Sequence, residues 1–328
     1  MLEARPQPGG RIRSVFDPDG AFLGDLGPTW IWPVVQPVVC RWIDTLGLET
    51  FPQYREGALV LDNGPGLEPD VLTVPSPTDE VRVVGGPQAF IDQLVAGLPP
   101  SALVTDAEVA SVTTHDQVID VTTRAGQTFH CERVIVALPP RIGLHTIDWA
   151  PALPASLERA MRGTPTWMAP HAKVLALYDD AFWRERGLSG RIASRTGPIV
   201  EGHDHCGPSG TPAALFGFIG WPHETRAELG AQLDAQVAAQ LKRCFGPDSP
   251  EPLAIHIEEW AGDPRVASPE DLAGPMDHPE VRPDVLRQAH ANGRLFFAGA
   301  ETALRSPGLI EGALDAAERV AAAVLNSP

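Results

Sequence analysis

Apolar residues recur along this chain with two spacings, and each spacing predicts a different kind of element. Residues 38–46 repeat at helical spacing and stop at Gly47, which predicts an amphipathic helix. A short strand and a Gly-Gly turn then lead into a second predicted helix over 90–98. Residues 109–131 alternate between apolar and polar positions, which predicts a meander of strands leading to a buried strand at 134–138.

The pattern changes in the second half of the chain. Residues 151–260 predict mixed strands and one strong helix, whose apolar face runs from Leu229 to Cys244. The C-terminal part predicts a buried strand, a glycine-containing turn and an apolar helix whose start we place at Ser306 and Pro307. No internal repeat is visible.

Composition restricts the class of protein. The 328 residues are enough for one large domain or two interleaved ones, with 43% hydrophobic residues. The net charge of -17 disfavours nucleic acid and anionic membranes, and it mildly favours cationic ligands. Four cysteines without a Cys-x-x-Cys pair predict no zinc ribbon and no disulfide scaffold, and they indicate a cytoplasmic setting. No apolar run approaches the roughly 18 residues of a membrane helix.

Two stretches carry candidate chemistry. Lys173 lies in an apolar strand of a chain with one other lysine, Lys242. A desolvated amine has a lowered pKa, which suits proton handling, although a lysine at an exposed strand edge is the alternative. His203, His205 and Cys206 are all metal-ligand types, but nothing completes a zinc pattern, so we predict no metal.

Nine segments, in this order, resemble the flavin-containing monoamine oxidase family, in particular its short bacterial members: LEARPQPGGRIRS, DLGPTWIWP, VRVVGGPQAFIDQL, VIVALPP, HAKVLALYDDAFW, AALFGFIGW, EEWAGDP, FFAGAETA and SPGLIEGALDAAERVA. The resemblance implies a mixed α/β fold with a Rossmann-like FAD-binding lobe and a substrate lobe built on a mixed sheet. It assigns 1–60, 80–147 and 262–328 to the FAD-binding lobe, 61–79 to a connection, and 148–261 to the substrate-binding lobe.

The same resemblance implies which residues bind FAD. An acid at the end of the second strand of a dinucleotide-binding unit hydrogen-bonds the adenosine ribose, and Glu3 fits that position. The C-terminal helix would direct its N-terminal N–H groups at the pyrimidine edge of the flavin, although a packing role is the alternative for that helix alone. The full predicted set is Glu3, Arg5, Gly9, Gly10, Arg11, Gly27, Pro28, Thr29, Val109, Gly299, Glu301, Gly308, Leu309 and Ile310.

The implied reaction is oxidation of an amine. A carbon beside the amine nitrogen gives hydride to flavin N5, and molecular oxygen then reoxidises the flavin. Lys173, by resemblance, holds a water against N5 and assists reoxidation. The substrate cavity is assigned Glu201, His203 and Trp260, with Glu201 and His203 on one face of a strand and Glu201 available to a cationic amine. A solvated strand is the alternative for Glu201, and a core position is the alternative for Trp260. Since no cysteine follows position 244, we expect FAD to be noncovalent.

The sequence also departs from the family pattern. It contains no Gly-x-Gly-x-x-Gly, which we interpret as loss of the first strand, phosphate turn and helix at the N-terminus. Weak FAD binding and an exposed sheet edge are then expected. The aromatic cage of the family is absent, with Leu309 at the matching place. Two alternatives stay open: a flavin-free remnant or subunit, and a flavin oxidoreductase acting on a non-amine substrate. The oligomeric state is left open as well.

Overall fold

The computed structural model describes residues 1–75, 79–274 and 280–326, which form a mixed α/β fold, as predicted. The strands are β1 (Ser14–Phe16), β2 (Phe22–Asp25), β3 (Thr50–Pro52), β4 (Ala58–Asp62), β5 (Asp70–Leu72), β6 (Val81–Val83), β7 (Val109–Thr114), β8 (Ile119–Thr123), β9 (Thr128–Cys131), β10 (Val134–Val136), β11 (Asp148–Ala150), β12 (Ala172–Tyr178), β13 (Leu188–Ser194), β14 (Ile199–Asp204), β15 (Ala213–Ile219), β16 (Ala254–Glu259) and β17 (Leu295–Phe297). The α-helices are α1 (Pro37–Leu46), α2 (Gln88–Ala96), α3 (Pro140–Thr146), α4 (Ala155–Arg162), α5 (Phe182–Glu185), α6 (His223–Leu229), α7 (Gln232–Phe245), α8 (Pro269–Leu272) and α9 (Ile310–Leu325). Short 3-10 turns lie at Trp260–Gly262, Asp284–Leu286 and Ala300–Thr302.

A seven-stranded sheet, in the order β16-β12-β15-β14-β13-β4-β5, dominates the fold. Its strand β12 is paired on both sides and buried along its whole length. Alternate residues of β12 therefore enter different cores. Val174 and Ala176 pack in the cluster that contains helix α7, whereas Leu175 and Leu177 pack with Leu26 of the segment that follows β2.

A second core lies between a four-stranded sheet, β11-β7-β8-β9, and the parallel pair β10-β17. The predicted meander over 109–131 is confirmed as β7, β8 and β9. The strand that follows it, β10, is shorter than the predicted 134–138, and of its residues Val136 is buried whereas Ile135 is 49% exposed. Near the N-terminus, Leu2 forms an isolated parallel bridge with Val104, beside this core.

Three predicted helices differ from the observed ones at their boundaries. The helix predicted over 90–98 is α2, which spans Gln88–Ala96. The apolar face from Leu229 to Cys244 belongs to two helices, because Gly230 has φ +50° and separates α6 from α7. Helix α9 begins at Ile310 rather than at Ser306 or Pro307, because Ser306 has φ +40° and Leu309 is extended.

The predicted helix ending at Gly47 is confirmed as α1. Across the described residues, none of the helices combines the length and apolarity needed to cross a bilayer.

The predicted division into lobes differs from the observed sheets at two places. Strands β4 and β5 belong to the seven-stranded sheet. The predicted boundary at residue 60 therefore lies within β4, and part of the predicted connection over 61–79 belongs to this sheet. Strand β11 pairs with β7, which joins 148–150 to the preceding segment. The two-lobe division itself stays a prediction, and its residues 76–78, 275–279 and 327–328 lie outside the described ranges.

Candidate active site

The side chain of Lys173 is buried on the face of β12 that packs against the β1-β2 hairpin. Its Nζ donates a hydrogen bond to the carbonyl of Gly27 and lies 5.7 and 5.4 Å from the ring centroids of Phe216 and Phe218. Burial lowers the pKa of Lys173 to about 8, although the carboxylate of Asp25 acts in the opposite direction. The position is therefore a buried amine on a strand that is paired on both sides, and the exposed-edge alternative is wrong.

Four side chains form a row across one face of the sheet. Lys173 lies opposite Glu258 of β16 and Phe218 of β15, and Phe218 lies opposite Glu201 of β14. The Oε1 atom of Glu201 lies 2.8 Å from Nε2 of His203, which confirms that these two residues share a face. Strand spacing then separates the backbones at Lys173 and Glu201 by roughly 10 Å.

The carboxylate of Glu201 is held in its charged form. The hydrogen bond from His203 lowers the pKa of Glu201, and the nearby guanidinium groups of Arg191 and Arg55 lower it further, against a smaller opposing effect of burial. The side chain is 62% exposed, so the carboxylate remains accessible from solvent. The Glu201 carboxylate can attract a cation, although the guanidinium groups of Arg191 and Arg55 already neutralise part of its charge.

The rings of Trp30, Phe216 and Phe218 contact one another and form an aromatic wall between Glu201 and Lys173. The Trp30 ring lies 4.7 Å from His203, 5.6 Å from Phe216 and 6.1 Å from Phe218, measured between centroids. Its Nε1 donates to Oε1 of Gln53, 2.7 Å away, which fixes the orientation of the indole. The sequence prediction missed both phenylalanines and Gln53. Alternation in AALFGFI could have found the phenylalanines, whereas no local pattern marks Gln53.

Trp260 lies in a small core separate from this wall. It is 4% exposed, packs with Ala169 and Val266, and donates from Nε1 to the carbonyl of Leu26 at 3.0 Å. Trp260 and Lys173 therefore donate hydrogen bonds to two consecutive carbonyls, those of Leu26 and Gly27 respectively. The assignment of Trp260 to the substrate pocket stays a prediction.

Two predicted FAD-binding residues, Glu3 and Val109, come together near the N-terminus. Oε1 of Glu3 accepts a hydrogen bond from the backbone N–H of Arg5, 2.9 Å away. The Glu3 carbonyl accepts from the N–H of Ala107 at 2.8 Å, which brings Glu3 beside the start of β7. Val109, the first residue of β7, packs with Leu2 in the same cluster. Residues far apart in sequence are thus neighbours here.

The two arginines of this segment already have carboxylate partners. The Arg5 guanidinium pairs with Asp263 and donates to the carbonyl of Gly10. The Arg11 guanidinium lies 2.7 Å from the carboxylate of Glu301 and is partly exposed. Gly9 and Gly10 have φ of +134° and +60°, a backbone conformation that other residues rarely adopt. The loop is therefore tied to residues 263 and 301 before any ligand binds.

The segment 27–29 packs directly on this loop. A Cβ atom on Gly27 would lie 2.4 Å from the carbonyl of Arg11, so no larger residue fits there. Pro28 is partly exposed, and the next residue, Thr29, is 4% exposed with no hydrogen-bond partner for its Oγ1 among the described residues. A buried hydroxyl without a partner costs free energy unless a ligand or water satisfies it.

The predicted C-terminal residues complete the cluster. Gly299 has no room for a Cβ atom, which would lie 2.3 Å from the carbonyl of Leu138. Glu301 is 2% exposed, and its Oε2 has no hydrogen-bond partner in the described ranges. Gly308 has φ +80° and donates its N–H to the carbonyl of Ala300 at 3.1 Å. This turn leads to Leu309 and Ile310 at the start of α9.

These residues fit FAD. Helix α9 has no side-chain cap at Leu309, so the N–H groups of its first turn are available to a ligand. These N–H groups, the hydroxyl of Thr29 and the guanidinium of Arg11 are donors of the kind that phosphate and ring carbonyl oxygens accept from. Metal ligation is not supported, since the described residues contain no group of three potential ligands, and Nε2 of His205 accepts from the N–H of Asp25.

The fold is that of known amine oxidases. A solved structure of putrescine oxidase bound to putrescine superposes with a TM-score of 0.80 at 20% identity, covering 99% of this chain and 93% of that one. Cyclohexylamine oxidase from Brevibacterium oxydans IH-35A gives a TM-score of 0.77 at 18% identity, covering 98% and 92%. At these identities the likeness establishes the fold class, which is that of FAD-dependent amine oxidases.

The chain belongs to the family of flavin containing amine oxidoreductases, whose sequence model matches residues 1–77 and 66–325. FAD is the cofactor that membership of this family implies. A probable flavin-containing monoamine oxidase A of Dictyostelium discoideum is 26% identical over 251 residues, covering 73% of this chain and 52% of the relative. Flavin-containing amine oxidase B of Cavia porcellus is 26% identical over 268 residues, covering 78% and 49%. The chain spans about half the length of these curated relatives.

Proposed function

We propose that this protein binds FAD noncovalently and oxidises an amine at the carbon beside its nitrogen, with molecular oxygen as the electron acceptor. Family membership supports the cofactor and the reaction class. The observation that carries the proposal is the buried Lys173, placed against an aromatic wall and bonded to the same short segment that packs on Arg11. A buried amine in such surroundings is costly, which indicates a functional reason for its presence.

Three groups of residues would hold the cofactor. Glu3 and Val109 would contact the adenosine, while Arg11 and the Gly9-Gly10 turn would lie against the phosphates. The first turn of α9 would donate to the pyrimidine edge of the ring. When bound, FAD supplies an acceptor for two electrons from the substrate and passes them to oxygen.

Lys173 would bind and release a proton and would hold a water molecule beside the cofactor. Because burial lowers its pKa to about 8, the amine can change protonation state closer to neutral pH than an exposed lysine does. Its bond to the Gly27 carbonyl fixes the ammonium on one side, and Phe216 and Phe218 shield it from bulk water. The side chain is thus oriented before substrate arrives.

The amine would enter along the row of side chains on the sheet face. Glu201 would attract the cationic nitrogen or a second positive group of the substrate, and Trp30 and Phe218 would contact its apolar part. A substrate that reaches from Glu201 towards Lys173 would span roughly 10 Å, the width of two strand spacings. Glu201, His203 and the aromatic wall would then select by length and charge.

The test is flavin content followed by turnover. The purified chain should show visible flavin absorption or take up added FAD, and peroxide should appear with members of an amine panel but not with matched alcohols. A chain that takes up no FAD would favour the flavin-free alternative. Bound FAD with peroxide from alcohols only would favour the non-amine alternative.

Replacement of Lys173 tests its assigned role. Lys173→Met should slow reoxidation by oxygen, measured by stopped flow on the reduced protein, much more than it weakens FAD binding. Lys242→Met is the matched control, because Lys242 lies on α7 and donates to the carbonyl of Ser249. Equal losses of reoxidation rate and FAD affinity in Lys173→Met would contradict the role.

A further inference from the structure

The N-terminus of helix α1 is capped by a residue from the other end of the chain. Oε1 of Glu311 accepts the N–H of Val38 at 3.1 Å, and Oε2 accepts the N–H of Val39 at 2.7 Å. Helix α1 has no cap of its own, since Gln36 offers none from its side chain and Pro37 has no N–H. The side-chain cap at the N-terminus of α1 therefore depends on one carboxylate of α9.

This carboxylate is buried, and two helices surround it. Glu311 has 0% exposure and lies in the first turn of α9, so the positive ends of both α1 and α9 face it. Burying a carboxylate is unfavourable unless charge-assisted hydrogen bonds compensate, and the two amides of α1 provide them. The geometry is demanding, because both oxygens must keep their partners at once.

The opposite side of the α9 start has no spare room. A Cβ atom on Gly312 would lie 2.5 Å from the carbonyl of Ser306 and 3.1 Å from that of Ala300. Ile310 packs with Val39 and Phe90 in the core that contains α1 and α2. The first turn of α9 is thus fixed between the turn at 300–308 and the N-terminus of α1.

We propose that Glu311 is a positioning residue that sets the place of the first-turn N–H groups of α9 relative to the flavin. The inference rests on the proposed function, in which those N–H groups donate to the pyrimidine edge of the cofactor. Donors held there stabilise the charge of the reduced ring more than that of the oxidised ring. Loosening α9 should therefore weaken binding of reduced FAD more than binding of oxidised FAD.

Glu311→Gln removes one of the two acceptors while keeping the shape of the side chain. In the apo protein, amide exchange at whichever of Val38 and Val39 loses its acceptor should accelerate about ten-fold, the effect of losing a hydrogen bond of about 1.4 kcal/mol. In the FAD-loaded protein, a ten-fold loss of preference for the reduced flavin corresponds to a two-electron potential about 30 mV lower. A higher potential, which loss of a nearby negative charge alone would give, overturns the proposal.

Glu318→Gln is the matched control on the same pair of helices. Glu318 accepts from Arg41 at 2.7 and 2.6 Å and from Trp42 at 2.8 Å, further along α9 and at the surface. Its replacement should leave the exchange of Val38 and Val39 and the flavin potential unchanged. An equal effect of both replacements would mean that any contact between α1 and α9 suffices, which overturns a specific role for Glu311.

A second variant separates positioning from stability. Gln36→Asp gives α1 a cap of its own, so the double variant Gln36→Asp/Glu311→Gln should regain thermal stability without restoring the tie to α9. A positioning role predicts that the potential stays low in the double variant, and recovery of both properties overturns it. Absence of FAD uptake by the wild type would overturn the proposed function and the flavin part of this inference. Amide exchange at Val38 and Val39 in the apo protein would still test whether Glu311 caps α1.

Discussion

Burial of the Lys173 amine should make the stability of the protein depend on pH in a way that Lys173→Met removes. In the folded chain burial lowers the pKa of this lysine from 10.5 to about 8, so the unfolded chain binds the proton more tightly. Below pH 8 this difference opposes folding by about 3 kcal/mol. As the pH rises from 8 towards 10.5 the cost disappears, so the wild type gains stability there.

The measurement is urea unfolding of the apo forms of wild type and Lys173→Met at several pH values. Between pH 8 and 10 the free energy of unfolding of the wild type should rise by about 2 kcal/mol relative to the variant. This range lies above the titration of Asp25, whose pKa burial raises to about 7, so that group contributes little to the difference. Lys242→Met controls for removal of a lysine as such.

A difference between the two proteins that does not change with pH would refute the reasoning. It would mean that the amine of Lys173 titrates in the folded chain as it does in the unfolded chain. The buried position between Phe216 and Phe218 would then have to admit enough water to solvate the ammonium.

Three further results are expected. Glu201→Gln should raise the KM for cationic amines about three-fold, the effect of losing about 0.7 kcal/mol of charge pairing at a largely exposed carboxylate, with kcat nearly unchanged, and an unchanged KM would remove Glu201 from the substrate site. Gly312→Ala should lower the free energy of unfolding by about 1–3 kcal/mol, because the added Cβ meets the Ser306 carbonyl, and a more stable variant by calorimetry would show that helix propensity prevails. Asp62→Asn should cost about 3 kcal/mol at pH 7, because it breaks the buried pair with Arg243. Burial alone would raise the pKa of Asp62, but bonding to Arg243 lowers it to about 2, so the difference in urea unfolding should shrink as the pH falls from 4 to 2.

Local patterns predicted much of the secondary structure and the family. Helix α1 and the β7-β9 meander follow from apolar spacing, and the order of the motifs indicated the flavin containing amine oxidoreductases, which the family match confirms. Helix α9 was predicted three or four residues too early, since propensity and capping residues do not reveal that Ser306 adopts a positive φ. Boundaries of this kind depend on contacts with distant backbone.

Tertiary structure alone decided how the site residues meet. The sequence marked Lys173 as unusual, but its burial and its bond to Gly27 depend on pairing of β12 with two other strands. Nothing near Glu311 in the sequence indicates that it caps α1, because its partners lie 273 and 272 residues away. Periodicity reports which side of an element faces the core, whereas hydrogen bonds between distant segments depend on the packing of the whole chain.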